Sequence, residues 1–395
     1  MSLILSQTPL ERISESGLRQ LSFVLWFWPT DLACHSCGGC ANDDCLTRRS
    51  KRLVHFFNHY KYLTASFEHD TQSAEQQVLR SHKDLFKIIQ TLKSDPDIPR
   101  SQLTKNCFTH YDSGSSGPQH DDQERAVDLA VRAMFFINCS AEHQSFHLLE
   151  HNADRLKWRD DITFNQFVSE AFSMTDHPSL NDNETTLPVS IKKALLARKL
   201  KKVAGLTFRG TDDLRNHFKL DHKTGVVKVF HHTSFLKEHL RLTKDGNYDA
   251  SLSESLKKGA LPRQLVLEVL DSIQKILFDL SDPKSYSLLR SLTSAALSDP
   301  DCLRYESASF RSSDEENIQY LYFGSRLVDL YEESKNPRPR GWMNAWLQRK
   351  SGARYMMMAT LIGVAIAIFL GITSLAVEGY QAWISYQQWQ HPISG

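Results

Sequence analysis

The sequence predicts a mainly α protein: a multi-helix cytosolic region with a small winged-helix-like α/β-hairpin segment and one C-terminal transmembrane helix. Three observations predict it. From Tyr355 to Val377 the chain reads YMMMATLIGVAIAIFLGITSLAV without a charge, and as a helix this covers ~34 Å against a hydrocarbon core of ~30 Å. Upstream, apolar residues recur at helical spacing, most clearly in LPRQLVLEVLDSIQKILFDL from Leu261. Between the helical stretches, FKLD-HKTG-VVKVF places two apolar-rich runs around a turn ending in Gly225, which is a hairpin pattern.

The 395 residues suffice for more than one compact unit. A net charge of +1 gives the whole chain no bias toward acidic or basic partners. Seven cysteines are too few for a disulfide scaffold, and four of them cluster between residues 34 and 45. The apolar run Leu21–Trp28 follows Glu11 and Glu15 and precedes Pro29, so it is read as a buried helix and not as a signal peptide.

Taken in order, residues 1–108 form a helical region containing the cysteines, and 109–123 a Ser/Gly/Asp-rich linker. Residues 124–245 resume helical periodicity at ERAVDLAVRAMFFI and carry the winged-helix-like segment 188–230. There Pro188 opens a helix through about Val203. A turn follows at Gly205–Gly210, then a short helix capped by Thr211 and the hairpin. Eleven Lys or Arg against three Asp between Ser190 and Phe230 make this segment basic. Residues 246–336 hold the helix begun by Pro262, a second begun by Asp282 and Pro283, and a short one at Ser325–Ser334. The first two are expected to pack as an antiparallel pair. Residues 337–354 are a basic juxtamembrane segment in which Trp342 and Trp346 share a helix face, 355–377 the span, and 378–395 an aromatic tail.

Lys335, Arg338, Arg340, Arg349, Lys350 and Arg354 precede the span, and Glu378 is the single charge after it. The bulk of the chain is therefore expected in the cytosol, with the C-terminus lumenal or extracellular, in the tail-anchored manner. Tyr380, Trp383, Tyr386 and Trp389 suit an interfacial belt. Ala359, Gly363, Ala367 and Gly371 recur every four residues. That stripe is a packing face for self-association or for a membrane-protein partner.

Chemistry is concentrated at Cys34, Cys37, Cys40 and Cys45, whose C-x2-C-x2-C-x4-C spacing brings four thiolates within reach of one ion. His55 and His59, in H-x3-H, are alternative ligands. Structural zinc, an iron–sulfur cluster and a metal-free segment all remain open. His143, His147 and His151 share a helix spacing but lack the carboxylate of H-E-x-x-H, and His231 and His232 are accounted for by capping or packing. No phosphate loop, dinucleotide fingerprint or nucleophile elbow occurs, so no catalytic residue and no enzyme is expected.

WPTDLACHSC with RRSKRLVHFFNHYKYLT, LTFRGTDDLRNHFKLD, VFHHTSFLKEHLRLTKD, LPRQLVLEVLDSIQKILF and the tail SGARYMMMATLIGV…YQQWQHP resemble a family of single-pass membrane proteins of filamentous fungi. The resemblance implies a C-terminal anchor and brings no activity, cofactor or catalytic residue. The functional expectation is a non-enzymatic adaptor or regulator acting by protein or lipid contact at a membrane. A membrane-tethered regulator binding nucleic acid through residues 188–230 is the disfavoured alternative. An enzyme serving a fungal metabolic gene cluster is the third reading.

Overall fold

In a computed structural model of the chain, the residues described are 10, 12–29, 45–67, 77–109, 119–141, 155–176, 188–244, 251–294, 299–304, 310–312, 315, 318–338 and 354–390, the last with side chains from residue 360. The chain divides into two compact units, Met1–Pro337 and Arg338–Gly395.

The first unit is mostly helical. Helix α1 (Glu15–Trp26) starts where Ser14 Oγ accepts a hydrogen bond from Gly17 N at 3.1 Å. It buries Leu21, Val24, Leu25 and Trp26, as the apolar run requires. Helices α2 (Leu46–Arg52) and α3 (Val54–Ala65) follow, then α4 (His82–Ser94), whose Asp84 accepts from Ser81 N at 2.9 Å. Helix α5 (Arg100–Phe108) leads to α6 (His120–Phe135), which ends at Phe136 in the left-handed region with φ 56°. Strands β1 (Cys139–Ala141) and β2 (Leu156–Trp158) pair in parallel, and α7 (Phe164–Ala171) is started by a Thr163/Gln166 capping box.

The basic segment departs from expectation in an instructive way. Pro188 does open a helix, but it forms α8 (Val189–Ala194) and α9 (Ala197–Ala204), with a break at Leu195 and Leu196. Ile191 and Leu200 are both buried, yet on one continuous helix they would point about 180° apart. The break lets both reach the core. Gly205, at φ 63°, ends α9. The expected turn is instead strand β3 (Thr207–Thr211), and the expected capped helix is one 3-10 turn, Leu214–Asn216, capped by Asp213. The hairpin is present as β4 (Leu220–Asp221) and β5 (Val226–Phe230), and β3 adds to β5 in parallel to give the order β3-β5-β4.

Helix α10 (Thr233–Leu242) leaves β5 directly, and α11 (Leu252–Lys257) follows. Helix α12 (Arg263–Asp271) begins after Pro262 and continues as a π turn through Ser272–Leu277. Helix α13 (Pro283–Ser294) starts at Asp282, whose carboxylate accepts from Ser285 N at 3.2 Å. The two do not form the expected pair: α12 packs against α10, and α13 against α9. Helix α12 is buried nearly all round, with Leu265, Val266, Leu267, Val269 and Leu270 all at 0 % exposure and Arg263, Glu268 and Asp271 buried beside them, so several neighbours share it. Helix α14 (Gly324–Lys335) is reached through backbone N–H groups of Leu321, Tyr322 and Phe323, which donate to buried Glu268 at 2.8–3.0 Å.

Side chains from Leu10 to Leu330 join one contiguous core. At its centre Phe56 stacks on Phe235 at 5.2 Å, with Trp26 and Phe136 edged around them at 5.2 and 6.1 Å from Phe56.

The second unit contains α15 (Arg354–Gln390), the one helix among the described residues long and apolar enough to cross a membrane. Between Thr360 and Gln390 it reaches a mean hydropathy of 2.4 and none of it is buried. It runs past the expected end at Val377 and carries Tyr380, Trp383, Tyr386 and Trp389, all exposed. Gly379 alone does not stop it, and the first proline beyond the span is Pro392.

Candidate functional site: a histidine–aspartate cluster

Histidines from two other chain segments meet at the carboxylate of Asp212, over the ring of Phe136. His59 comes from the middle of α3, where Phe56, Phe57 and Tyr60 face the core and draw the helix inward. Asp212 follows β3 directly, held at the sheet edge by the β3–β5 pairing of Thr211 with Phe230. His231 and His232 lie between β5 and α10. Phe136, at the left-handed end of α6, forms the floor: its ring lies 4.8 Å from His59, stacked, and 4.3 Å from His232.

Asp212 Oδ1 accepts from His232 Nε2 at 2.8 Å and from His231 Nε2 at 3.1 Å, and His59 Nδ1 stands 3.7 Å away. The imidazoles are well covered, at 2 % side-chain exposure for His232, 11 % for His231 and 8 % for His59, while Asp212 is 52 % exposed. The cluster therefore opens to solvent on its carboxylate side.

Burial pushes the pKa of His232 down to about 3 and that of His59 down to about 4, each only partly opposed by Asp212. Partial desolvation would raise Asp212, but the two imidazole hydrogen bonds and nearby His59 outweigh it and hold the carboxyl well below the usual range. At neutral pH the site thus presents two neutral imidazoles beside an ionised carboxylate. Arg132, in the last turn of α6, acts electrostatically on both His59 and Asp212.

Several other buried ionisable groups among the described residues are paired within the fold. Lys237 donates to Asp301 Oδ2 at 2.6 Å and to Arg304 O at 2.9 Å. Arg100 pairs with Asp128 at 2.9 Å, and Arg311 pairs with Asp271. A cleft of about 320 Å³ lined by Glu170, Arg215, Lys219, His222, Arg326 and Asp329 mixes both signs of charge without convergence on one point.

Of the residues singled out from sequence, Cys34, Cys37 and Cys40 lie outside the described residues, as do His143, His147, His151, Trp342 and Trp346. Cys45 is buried where α2 begins. His55 is half-buried one turn before His59, and His59 is turned toward Asp212 and His232. Gly363, Ala367 and Gly371 are exposed along α15, and a Cβ built at Gly363 or Gly371 meets nothing within 4 Å; the side chain of Ala359 is outside the described set. Sequence reasoning missed the role of Asp212 and set His231 and His232 aside. The adjacent histidines after an apolar strand were visible, but the carboxylate that gathers them was not.

Searches against family models, curated proteins and solved structures find no match to this chain.

Proposed function

We propose that the protein is a membrane-tethered, non-enzymatic contact protein whose compact body binds protein or lipid beside the bilayer that α15 crosses. The observation that carries this reading is the apolar stretch of α15 between Thr360 and Gln390, where an 18-residue window has a mean hydropathy of 2.4 and is 0 % buried. A helix apolar all round finds a favourable environment only in lipid or against another apolar surface. The basic residues before the span favour a cytosolic body and a far-side aromatic tail.

The contact surface of the body is the basic face of α8, α9 and β3. Lys193, Lys199, Lys201, Lys202 and Arg209 are exposed there. Lys192 and Arg198 are neutralised by Asp279 at 3.0 Å and Asp282 at 2.7 Å. Exposed cations of this kind suit an anionic leaflet or an acidic partner. A winged-helix-like use of residues 188–230 on nucleic acid would draw on the same surface, and it keeps the hairpin but has a 3-10 turn where a reading helix is needed.

The test is protease protection of the full-length protein, tagged at each end, in intact microsomes. Digestion of the N-terminal tag with protection of the C-terminal tag is expected. Release of the protein by carbonate, or protection of the N-terminal tag, would overturn the proposed tether or its orientation. Steeply salt-dependent DNA binding would move the reading to nucleic acid.

A further inference from the structure

His59 is a covered polar side chain that makes no hydrogen bond of ordinary length. Its Nε2 is buried without a partner, and its Nδ1 stands 3.7 Å from Asp212 Oδ1, too far for a hydrogen bond. A leucine would fill the same space against Phe136 with no polar atom to satisfy. Packing alone therefore gives no reason for an imidazole at this position. His232 repeats the pattern less completely: Nε2 is engaged by Asp212, and Nδ1 is buried without a partner.

The donor atoms of His59, Asp212 and His232 all lie within 4.8 Å of one another. In a tetrahedral centre with bonds of ~2.0–2.1 Å, neighbouring donors stand about 3.3 Å apart. The 3.7 Å from Asp212 to His59 and the 2.8 Å from Asp212 to His232 fall on either side of that edge. The two edges to Asp212 need shifts of about half an ångström, and the edge between the imidazole donors, bounded at 4.8 Å, closes by up to about 1.5 Å on binding.

We propose that His59 Nδ1, the Asp212 carboxylate and His232 Nε2 bind one divalent first-row transition ion, with zinc the committed metal. Two imidazoles and one carboxylate are a donor set that such ions accept, and hard ions such as Mg²⁺ prefer oxygen alone. The ring protons then reside on His59 Nε2 and His232 Nδ1, which stay buried without a protein acceptor, so the ion engages the imidazoles through their Asp212-facing nitrogens only. His231 is a positioning residue: Asp299 N donates to its Nδ1 at 3.3 Å, which makes Nε2 the N–H that donates to Asp212 and orients the carboxylate. Three protein donors leave a fourth position, and the half-exposed side of Asp212 opens it to solvent. Arg132 beside it favours an anionic occupant there.

The experiment uses the full-length protein in detergent, stripped with a chelator and titrated with Zn²⁺, and with Co²⁺ as an optical probe. Cys34, Cys37 and Cys40 are a competing thiol set, so the titration is run on the native chain and on a Cys34→Ser/Cys37→Ser/Cys40→Ser variant. In that variant one ion is expected to bind and raise Tm. The Co²⁺ spectrum should lack thiolate charge-transfer bands. In the same background His59→Leu, which keeps the contact with Phe136, and Asp212→Asn, at a half-exposed position, should lose the ion. His231→Gln should weaken it by roughly tenfold. Absence of stoichiometric binding in the serine variant would overturn the proposal. So would undiminished binding in folded His59→Leu or in folded Asp212→Asn. The membrane-tether reading stands or falls separately.

Discussion

Two buried polar assemblies in the same body are built on opposite terms. Arg263, 5 % exposed, uses all five of its N–H groups: two on Glu315, and the rest on Leu240 O at 2.6 Å, Thr243 Oγ1 at 3.1 Å and Phe310 O at 2.7 Å. Around Asp212, by contrast, His59 is bonded through neither ring nitrogen and His232 through only one. Both assemblies tie together segments distant in sequence. The first is closed, with every donor matched, and joins α12 to the 310–315 segment. The second is incomplete and opens to solvent through a carboxylate. A satisfied network is an adequate description of a structural role, whereas unsatisfied buried donors call for something further.

The comparison can be broken or sharpened by experiment. Arg263→Ala should have the largest effect, because it leaves the buried Glu315 carboxylate with only Ser312 N and nearby Arg311 to offset its charge. A loss of about 3–5 kcal/mol is expected in the denaturant midpoint of the detergent-solubilised protein. A change below ~1 kcal/mol would remove the closed network from the account of stability.

Acid should come next. His239 is held neutral by burial, with nearby Lys93 adding to the effect, and its pKa falls to about 3; its Nδ1 accepts from Leu261 N at 3.1 Å. His217 is pushed down by burial and by Arg326, and its Nδ1 accepts from Phe230 N at 3.2 Å. Both bind a proton more readily unfolded, near pH 6.5, than folded. Their neutral-form stability is therefore complete above pH 6.5 and is lost as pH falls below it, toward about 3 for His239, at up to ~1.4 kcal/mol per pH unit for each. Unfolding midpoints measured from pH 7.5 down to 4 should decline through this window. A flat profile would contradict the buried neutral state.

His59→Leu should be gentler. In the metal-free protein it removes unpaired polar atoms from an apolar wall, so Tm should hold or rise, within roughly 1–2 kcal/mol. A large loss would place His59 in a satisfied network after all. The smallest effect on the body belongs to Gly363→Ile. A side chain there meets nothing in the chain itself, so Tm should not move, and self-association of the span should weaken if the small-residue stripe packs helix against helix.

Legibility followed locality. Pro262 and Asp282 marked the starts of α12 and α13 to within a residue, because a missing N–H and a carboxylate beside free N–H groups are local facts. Gly225, at φ 73°, marked the β4–β5 turn for the same kind of reason. The break at Leu195 and Leu196 was not legible, since the KKALLARKLKK pattern reads as one helix until two different walls demand Ile191 and Leu200. Strand β3 was hidden between Gly205 and Gly210, and only its parallel partner β5 makes it a strand. The partner of α12 was misjudged because a helix buried on most of its surface does not name its neighbour. At the site, His59 was singled out for its spacing to His55 and to the cysteines. Asp212 lies more than 150 residues further along, and no spacing rule connects them.

What the sequence determined by itself is therefore the class of the molecule: a mainly helical body, a hairpin, and a long apolar helix near its C-terminal end. Periodicity, caps and an uncharged run act over a few residues and need no partner to be read. Tertiary structure alone decided that α8 and α9 separate, that β3 joins β5, and that His59, His231 and His232 gather on Asp212. Those outcomes depend on which surfaces exclude water from one another. That is a property of the whole packed core around Phe56, Phe136 and Phe235, and of no single segment within it.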